Sequence, residues 1–184
     1  MSGLSPAYPR CFVAVAPCES LSVAQHCRLS GDVPVALDWA EPAVLHVTLA
    51  FLGWLTAERC DVVRKVVGRV ETKPPARLTL TGRARVVGAE ETRSLVAEVA
   101  PDPALMDYRS AVAEALAAQF GSVAPADRYW PHVTIAKVAP GPLPADEAWV
   151  VDRISFAVSS ARLCAGRTLW IEPPEPPPDE DQAR

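Results

Sequence analysis

Nowhere in the 184-residue chain does an apolar run approach the roughly 20 residues that a membrane-crossing helix requires. The apolar opening, Cys11 to Ala16, is shorter than a secretory signal core and runs straight into Pro17, Cys18 and Glu19. These absences point to a cytoplasmic protein with no membrane contact. Cysteine is present but unpatterned: five residues, at 11, 18, 27, 60 and 164, odd in number and without a CxxC. A disulfide framework is excluded and reduced thiols are expected. His26 and Cys27 with Cys18 suggest a metal corner, but no fourth ligand stands at usable spacing, so neither metal nor cofactor is expected. An excess of positive charge is lacking too. Eighteen basic against 22 acidic residues leave −4. Residues 172–184 carry five acids and one Arg, which accounts for that whole charge, and the preceding 171 residues balance. No polybasic nucleic-acid coat exists, so any nucleic acid must be gripped locally, at an end or a short strand.

What is present is an ordinary globular composition, 49% apolar and 22% charged, enough for one domain or two fused lobes over residues 1–171. Cys11–Ala16 reads as a strand, residues 19–29 as a helix and Val35–Trp39 as a short strand. Thr56 is a plausible N-cap for a helix to about Glu71, with Val63, Val66, Val67 and Val70 on one stripe and Pro74 and Pro75 beyond it. Residues 77–87 and 93–99 read as strands about a turn at Gly88–Glu91. Asp102 and Pro103 open a second long helix that Gly121 ends. Strands near 131–137, 149–158 and 167–171 follow. The Pro-rich acidic tail 172–184 cannot build a core and is expected to be disordered. The order of elements is α+β in two similar halves.

Those halves share a phrase. His46-Val-Thr-Leu-Ala and His132-Val-Thr-Ile-Ala differ by one Leu/Ile exchange and lie 86 residues apart. In a period-2 strand, Leu45, Val47, Leu49 and Phe51 take one face while His46, Thr48 and Ala50 take the other. In the second copy Val133 and Ile135 oppose His132, Thr134 and Ala136. A single His in a strand is usually a packing residue. Two copies with the same Thr, among only three histidines, favour function. If the strands pair across a pseudo-twofold, two imidazoles face each other over a cleft, and with ordinary pKa values near 6.5 one can accept a proton while the other donates. The Thr hydroxyls can donate to the non-bridging oxygens of a phosphoryl group.

Leu45-His-Val-Thr-Leu-Ala-Phe-Leu-Gly53 and Trp130-Pro-His-Val-Thr-Ile-Ala-Lys137, with the opening strand and Leu78-Thr-Leu-Thr-Gly82, resemble the 2H phosphoesterases. Within them the chain is similar to the RNA 2′,3′-cyclic phosphodiesterases, also called 2′-5′ RNA ligases. The resemblance implies two pseudo-twofold lobes whose antiparallel sheets line a central cleft, with helices outside. It implies metal-independent opening of RNA 2′,3′-cyclic phosphate ends to a 2′-phosphate, with 2′-5′ ligation as the reverse reaction. By carry-over His46 is the general acid on the leaving 3′ oxygen, His132 the general base for water, and Thr48 and Thr134 phosphate ligands. Lys137 stands where many relatives place an Arg. It offers a point charge without a bidentate fork, and strand parity turns it away from His132 unless the strand twists or ends there.

Partners are then RNA ends or small cyclic-phosphate nucleotides, with no obligate protein partner and a monomeric state. Alternatives are a phosphodiesterase for a small cyclic nucleotide, an ADP-ribose cyclic phosphate or a 2′-5′ oligonucleotide, and a non-catalytic RNA-end binding module. Phe12, Tyr129 and Trp130 are candidates for stacking on a base, whereas Phe51 has core parity. Arg83 and Arg85 are either a basic rim or plain surface.

Overall fold

The computed structural model describes residues 7–28, 35–121, 129–143 and 149–166. Strand β1 (Ala7–Val15) leads to the short helix α1 (Ser20–His26) and strand β2 (Leu37–Trp39), and a single 3-10 turn at Pro42–Val44 precedes β3 (Val47–Thr56). Helix α2 (Ala57–Val67), β4 (Arg77–Val87), β5 (Ser94–Val99), α3 (Pro103–Phe120) and β6 (His132–Val138) follow, then β7 (Trp149–Val150), β8 (Ser155–Ala157) and β9 (Arg162–Ala165). The expected strand at 167–171 and the tail lie outside the described residues. The last described strand comes earlier, at 162–165, and the run expected at 149–158 is split in two.

Helix starts follow local chemistry. The Thr56 hydroxyl accepts from the Arg59 N–H at 3.4 Å, and the Asp102 carboxylate accepts from the Leu105 N–H at 3.0 Å. Each satisfies one of the donors that a helix start leaves bare, worth about 1 kcal/mol. Gly88 has φ +98°, and a Cβ there would meet the Thr92 carbonyl oxygen at 2.9 Å. Only glycine closes that β4–β5 turn without strain.

The strands form one sheet in the order β7-β4-β5-β6-β3-β1-β9, with β2 added to β6 and β8 to β4. The described pairs are antiparallel. The order is close to a palindrome about the β6–β3 junction, where β5 matches β1 and β4 matches β9. One face carries the core. Val13, Val15, Leu49, Leu80, Leu95, Val133 and Ile135 are buried with Val63 of α2 and Leu105, Val112 and Leu116 of α3. Each such aliphatic side chain contributes about 1.5–3 kcal/mol on leaving water. The opposite face carries a second, small buried cluster of Phe12, Ala14 and Cys164. None of the five cysteines forms a disulfide. Among the described residues no helix is long and apolar enough to cross a membrane.

Candidate active site

The two halves meet at one residue pair. Val47 of β3 lies directly opposite Val133 of β6, each the second residue of its motif. Running that antiparallel register one step either way sets His46 across from Thr134 and Thr48 across from His132. Each imidazole is therefore beside the hydroxyl of the other copy, on the face away from the core. His46, Thr48, His132 and Thr134 are all half-buried there.

Both rings are held the same way. His46 Nδ1 bonds the Val44 carbonyl at 2.7 Å, and His132 Nδ1 bonds the Trp130 carbonyl at 2.9 Å, each two residues upstream. A carbonyl only accepts, so Nδ1 carries the proton and Nε2 is left for chemistry. Each ring is also stacked on an aromatic: His46 on Phe12, centroids 4.7 Å apart, and His132 on Trp130, 4.8 Å apart. Burial pushes the His46 pKa below its ordinary 6.5, the bond to Val44 pulls it up, and the charge of His132 pushes it down further.

Beyond the threonines, strict alternation fails in both copies at the same place. Ala14 opposes Thr48 while the next residue back, Val13, opposes Ala50, so Leu49 is an extra residue in β3. Likewise Val96 opposes Thr134 while Leu95 opposes Ala136, so Ile135 is an extra residue in β6. These matching β-bulges reverse the parity of the two residues that follow each, and in β3 a second shift at Leu52 restores it, so that Leu55 is again in the core. Ala50 and Ala136, expected beside the histidines, are buried in the core instead. Phe51, expected in the core, is 68% exposed and makes a tilted contact with Phe12 at 6.3 Å. Lys137, which parity alone turns away, stands exposed on the histidine face with its Nζ donating to the Ser94 hydroxyl at 2.8 Å.

The copies differ in what surrounds them. Phe12 opposes Phe51, whereas at the corresponding pair Ser94 opposes Lys137. Glu98 lies opposite His132, and its carboxylate takes the Arg85 guanidinium at 3.3 Å. Arg85 also lies 3.5 Å from the centre of the Trp130 ring. The β1 side of the site carries the phenyl rings of Phe12 and Phe51 with Arg162 one strand further out, and the β5 side carries Ser94, Lys137, Glu98 and Arg85.

Tyr129 plays a part that sequence reasoning missed. Its hydroxyl donates to the Thr48 carbonyl at 3.0 Å, tying the approach to the second motif onto the first. Its ring lies 4.4 Å from the guanidinium of Arg109, a residue of α3 only 4% exposed. Burial pushes the phenol up to about 12, so it remains a donor. No local signal separates such a tether from a surface aromatic. His26 bonds Asp152 at 2.8 Å at the end of α1 and takes no part in the pair. Among the described residues no three His, Cys or carboxylate side chains gather in one place.

A family model described as the 2′-5′ RNA ligase superfamily matches residues 17–170. A solved phosphoesterase is 24% identical, covering 86% of this chain and 88% of its own, with a TM-score of 0.61. Escherichia coli LigT in complex with 3′-AMP is 23% identical with the same coverages and a TM-score of 0.58. A Thermus thermophilus protein is 20% identical over 84% of this chain and 86% of that chain, with a TM-score of 0.61. These likenesses show a shared fold. No curated protein matches the chain.

Proposed function

The chain belongs to the 2′-5′ RNA ligase superfamily, and on that footing we propose that it hydrolyses RNA 2′,3′-cyclic phosphate ends to 2′-phosphates with His46 and His132 as the acid–base pair. The superfamily comprises phosphoesterases, so the chain is an enzyme of phosphodiester chemistry. The observation that carries the finer reading is the Val47–Val133 pairing, which sets two copies of one His-x-Thr unit face to face. An in-line displacement at phosphorus has an entering and a leaving oxygen on opposite sides and asks for a base at one and an acid at the other.

In the proposed cycle Nε2 of neutral His132 takes a proton from water as its oxygen attacks phosphorus. The bond from phosphorus to the 3′ oxygen breaks, and protonated His46 delivers its Nε2 proton to that oxygen. The product carries a 2′-phosphate and a free 3′-hydroxyl, and the pair exchanges one proton with solvent to reset. Mutual repulsion of the rings disfavours the doubly protonated state, in which no base exists. Burial lowers the His46 pKa, which strengthens its imidazolium as an acid and reduces the fraction of molecules that carry it. Thr48 and Thr134 donate to the non-bridging oxygens, where charge grows in the transition state. Lys137 supplies a positive charge at the edge of the same face. The reverse reaction, attack by a 2′-hydroxyl in place of water, would join RNA ends by a 2′-5′ bond.

The deciding experiment offers a 2′,3′-cyclic mononucleotide and a short RNA with that end, chelator present, and locates the phosphate in the product. A 2′-phosphate is expected. A 3′-phosphate, or no turnover of either substrate, rejects the proposal.

A further inference from the structure

A cleft of about 310 Å³ lies beside the histidine pair, lined by Thr81, Arg83, Glu98, Ala100 and Arg153. The sheet fixes its position. Glu98 of β5 is directly opposite His132 of β6, so both side chains rise on the same face. On β4, Ala84 opposes Ala97 and Arg85 opposes Val96, which brings Arg83 into line with Glu98 one strand further out. Two strand spacings place Arg83's backbone about 10 Å from that of His132. Between Leu80 and Ala84 the β4 register is irregular, and Gly82, with φ +91°, lies in the gap. A Cβ on Gly82 would come within 3.7 Å of the Arg153 Cβ, and the Val151 N–H bonds the Gly82 carbonyl at 3.2 Å. It is the positive φ that calls for glycine there, at the point where the segment bearing Arg153 lies against β4.

Two guanidiniums around one small cleft repel each other unless something negative lies between. The one carboxylate lining it, Glu98, is taken by Arg85 at 3.3 Å. Among the described residues neither Arg83 nor Arg153 has an ion pair. The strand beside His46 presents Ala14 and Phe12 with Cys164, a buried apolar cluster. On the β1 side Arg162, opposite Ala14, is the cation on the histidine face; on the β5 side Arg83 and Arg153 stand together around a cleft, at a distance that the next phosphates of a continuous chain can reach.

We infer that the Arg83–Arg153 cleft binds a second phosphate of the substrate, attached through the same nucleoside as the reacting one. This rests on the hydrolytic reading above and sharpens it: the preferred substrate is an oligonucleotide end, and a bare cyclic mononucleotide is a poor one. Arginine suits the task because its planar fork meets phosphate oxygens in pairs.

The test compares kcat/KM for adenosine 2′,3′-cyclic phosphate, its 5′-phosphorylated form, and the dinucleotide ApA ending in a 2′,3′-cyclic phosphate. Wild type is expected to favour the dinucleotide at least about tenfold, and R83A/R153A to erase that preference while turning over the mononucleotide unchanged. An equal advantage for the 5′-phosphorylated mononucleotide identifies any 5′-linked phosphate as the ligand, whereas no advantage identifies an internucleotide phosphate. Equal rates on mononucleotide and dinucleotide, or an equal loss on both in the double variant, overturn the inference. A binding measurement separates it from the hydrolytic reading. For a six-nucleotide RNA ending in a 2′-phosphate, the slope of log Kd against log salt should shrink by about 0.7 in R83A/R153A, the share of the one phosphate that the two arginines hold. A changed slope without turnover by wild type retains the site and rejects the reaction; an unchanged slope rejects the site.

Discussion

Leu49 and Ile135 are one bulge in two copies, each three residues after its histidine and each the residue at which its strand changes face. A buried Leu or Ile is followed at once by a buried Ala, and the next side chain, Phe51 or Lys137, emerges beside the imidazoles. The site therefore owes its histidines and threonines to simple alternation and its fifth residue to a break in it. Phe51→Ala should leave stability within about 0.5 kcal/mol, as expected for an exposed side chain, where a core Phe would cost about 3–5. A denaturant midpoint shifted as far as core loss demands would place Phe51 back in the interior.

The acid and base can be told apart by the leaving group. His46→Ala and His132→Ala should each lower hydrolysis of a 2′,3′-cyclic phosphate by at least about a hundredfold. With a p-nitrophenyl phosphodiester, whose leaving oxygen departs without a proton, His46→Ala should recover most of the wild-type rate and His132→Ala should not. Recovery in the opposite variant would reverse the roles, and near-normal rates of both variants on the cyclic phosphate would remove the pair from the chemistry.

Much of this was legible in the chain. The repeated His-Val-Thr, the capped helices after Thr56 and Asp102, and the two-half α+β order all rest on local signals, namely period, cap and breaker. What escaped were non-local features. A bulge at Leu49 or Ile135 is defined by the partner strand, so alternation alone sent Phe51 to the core and Ala50 and Ala136 to the site. Tyr129 read as a candidate for stacking on a base, and its role as a tether escaped because its acceptor, the Thr48 carbonyl, is 81 residues away. Arg83 and Arg85, adjacent on one face, looked alike, yet Arg85 pairs with Glu98 and Arg83 lines a cleft with Arg153.

Titration of His46 follows from its surroundings. Its ring should titrate below 6.5, because burial disfavours the imidazolium and His132 adds to the effect. In His132→Gln the midpoint should rise, since the repelling charge is gone, yet stay under 6.5 because burial remains. Proton NMR of the ring resonances reads both. The unfolded chain takes up this proton at the ordinary value and the folded chain does not, so stability should fall as pH drops through 6.5 and level off once the folded ring is protonated. An unmoved midpoint in His132→Gln would mean that the rings do not share a field.

The Tyr129 tether can be tested without touching the reacting groups. Tyr129→Phe keeps the ring that Arg109 lies against and removes only the donor to the Thr48 carbonyl. Losing one partly buried hydrogen bond should cost about 0.5–1.5 kcal/mol, read from the denaturant midpoint. Because Thr48 is the hydroxyl set across from His132, loosening its backbone should lower kcat more than it raises KM. A merely structural bond would lower the midpoint and leave kcat per folded molecule unchanged. Arg109→Met, which keeps the bulk on α3 but removes the charge above the ring, should then shift stability and leave the Thr48 bond, and with it kcat, in place. A loss of kcat in Arg109→Met as large as in Tyr129→Phe would show that the tether acts through the packing of α3 and not through the hydroxyl.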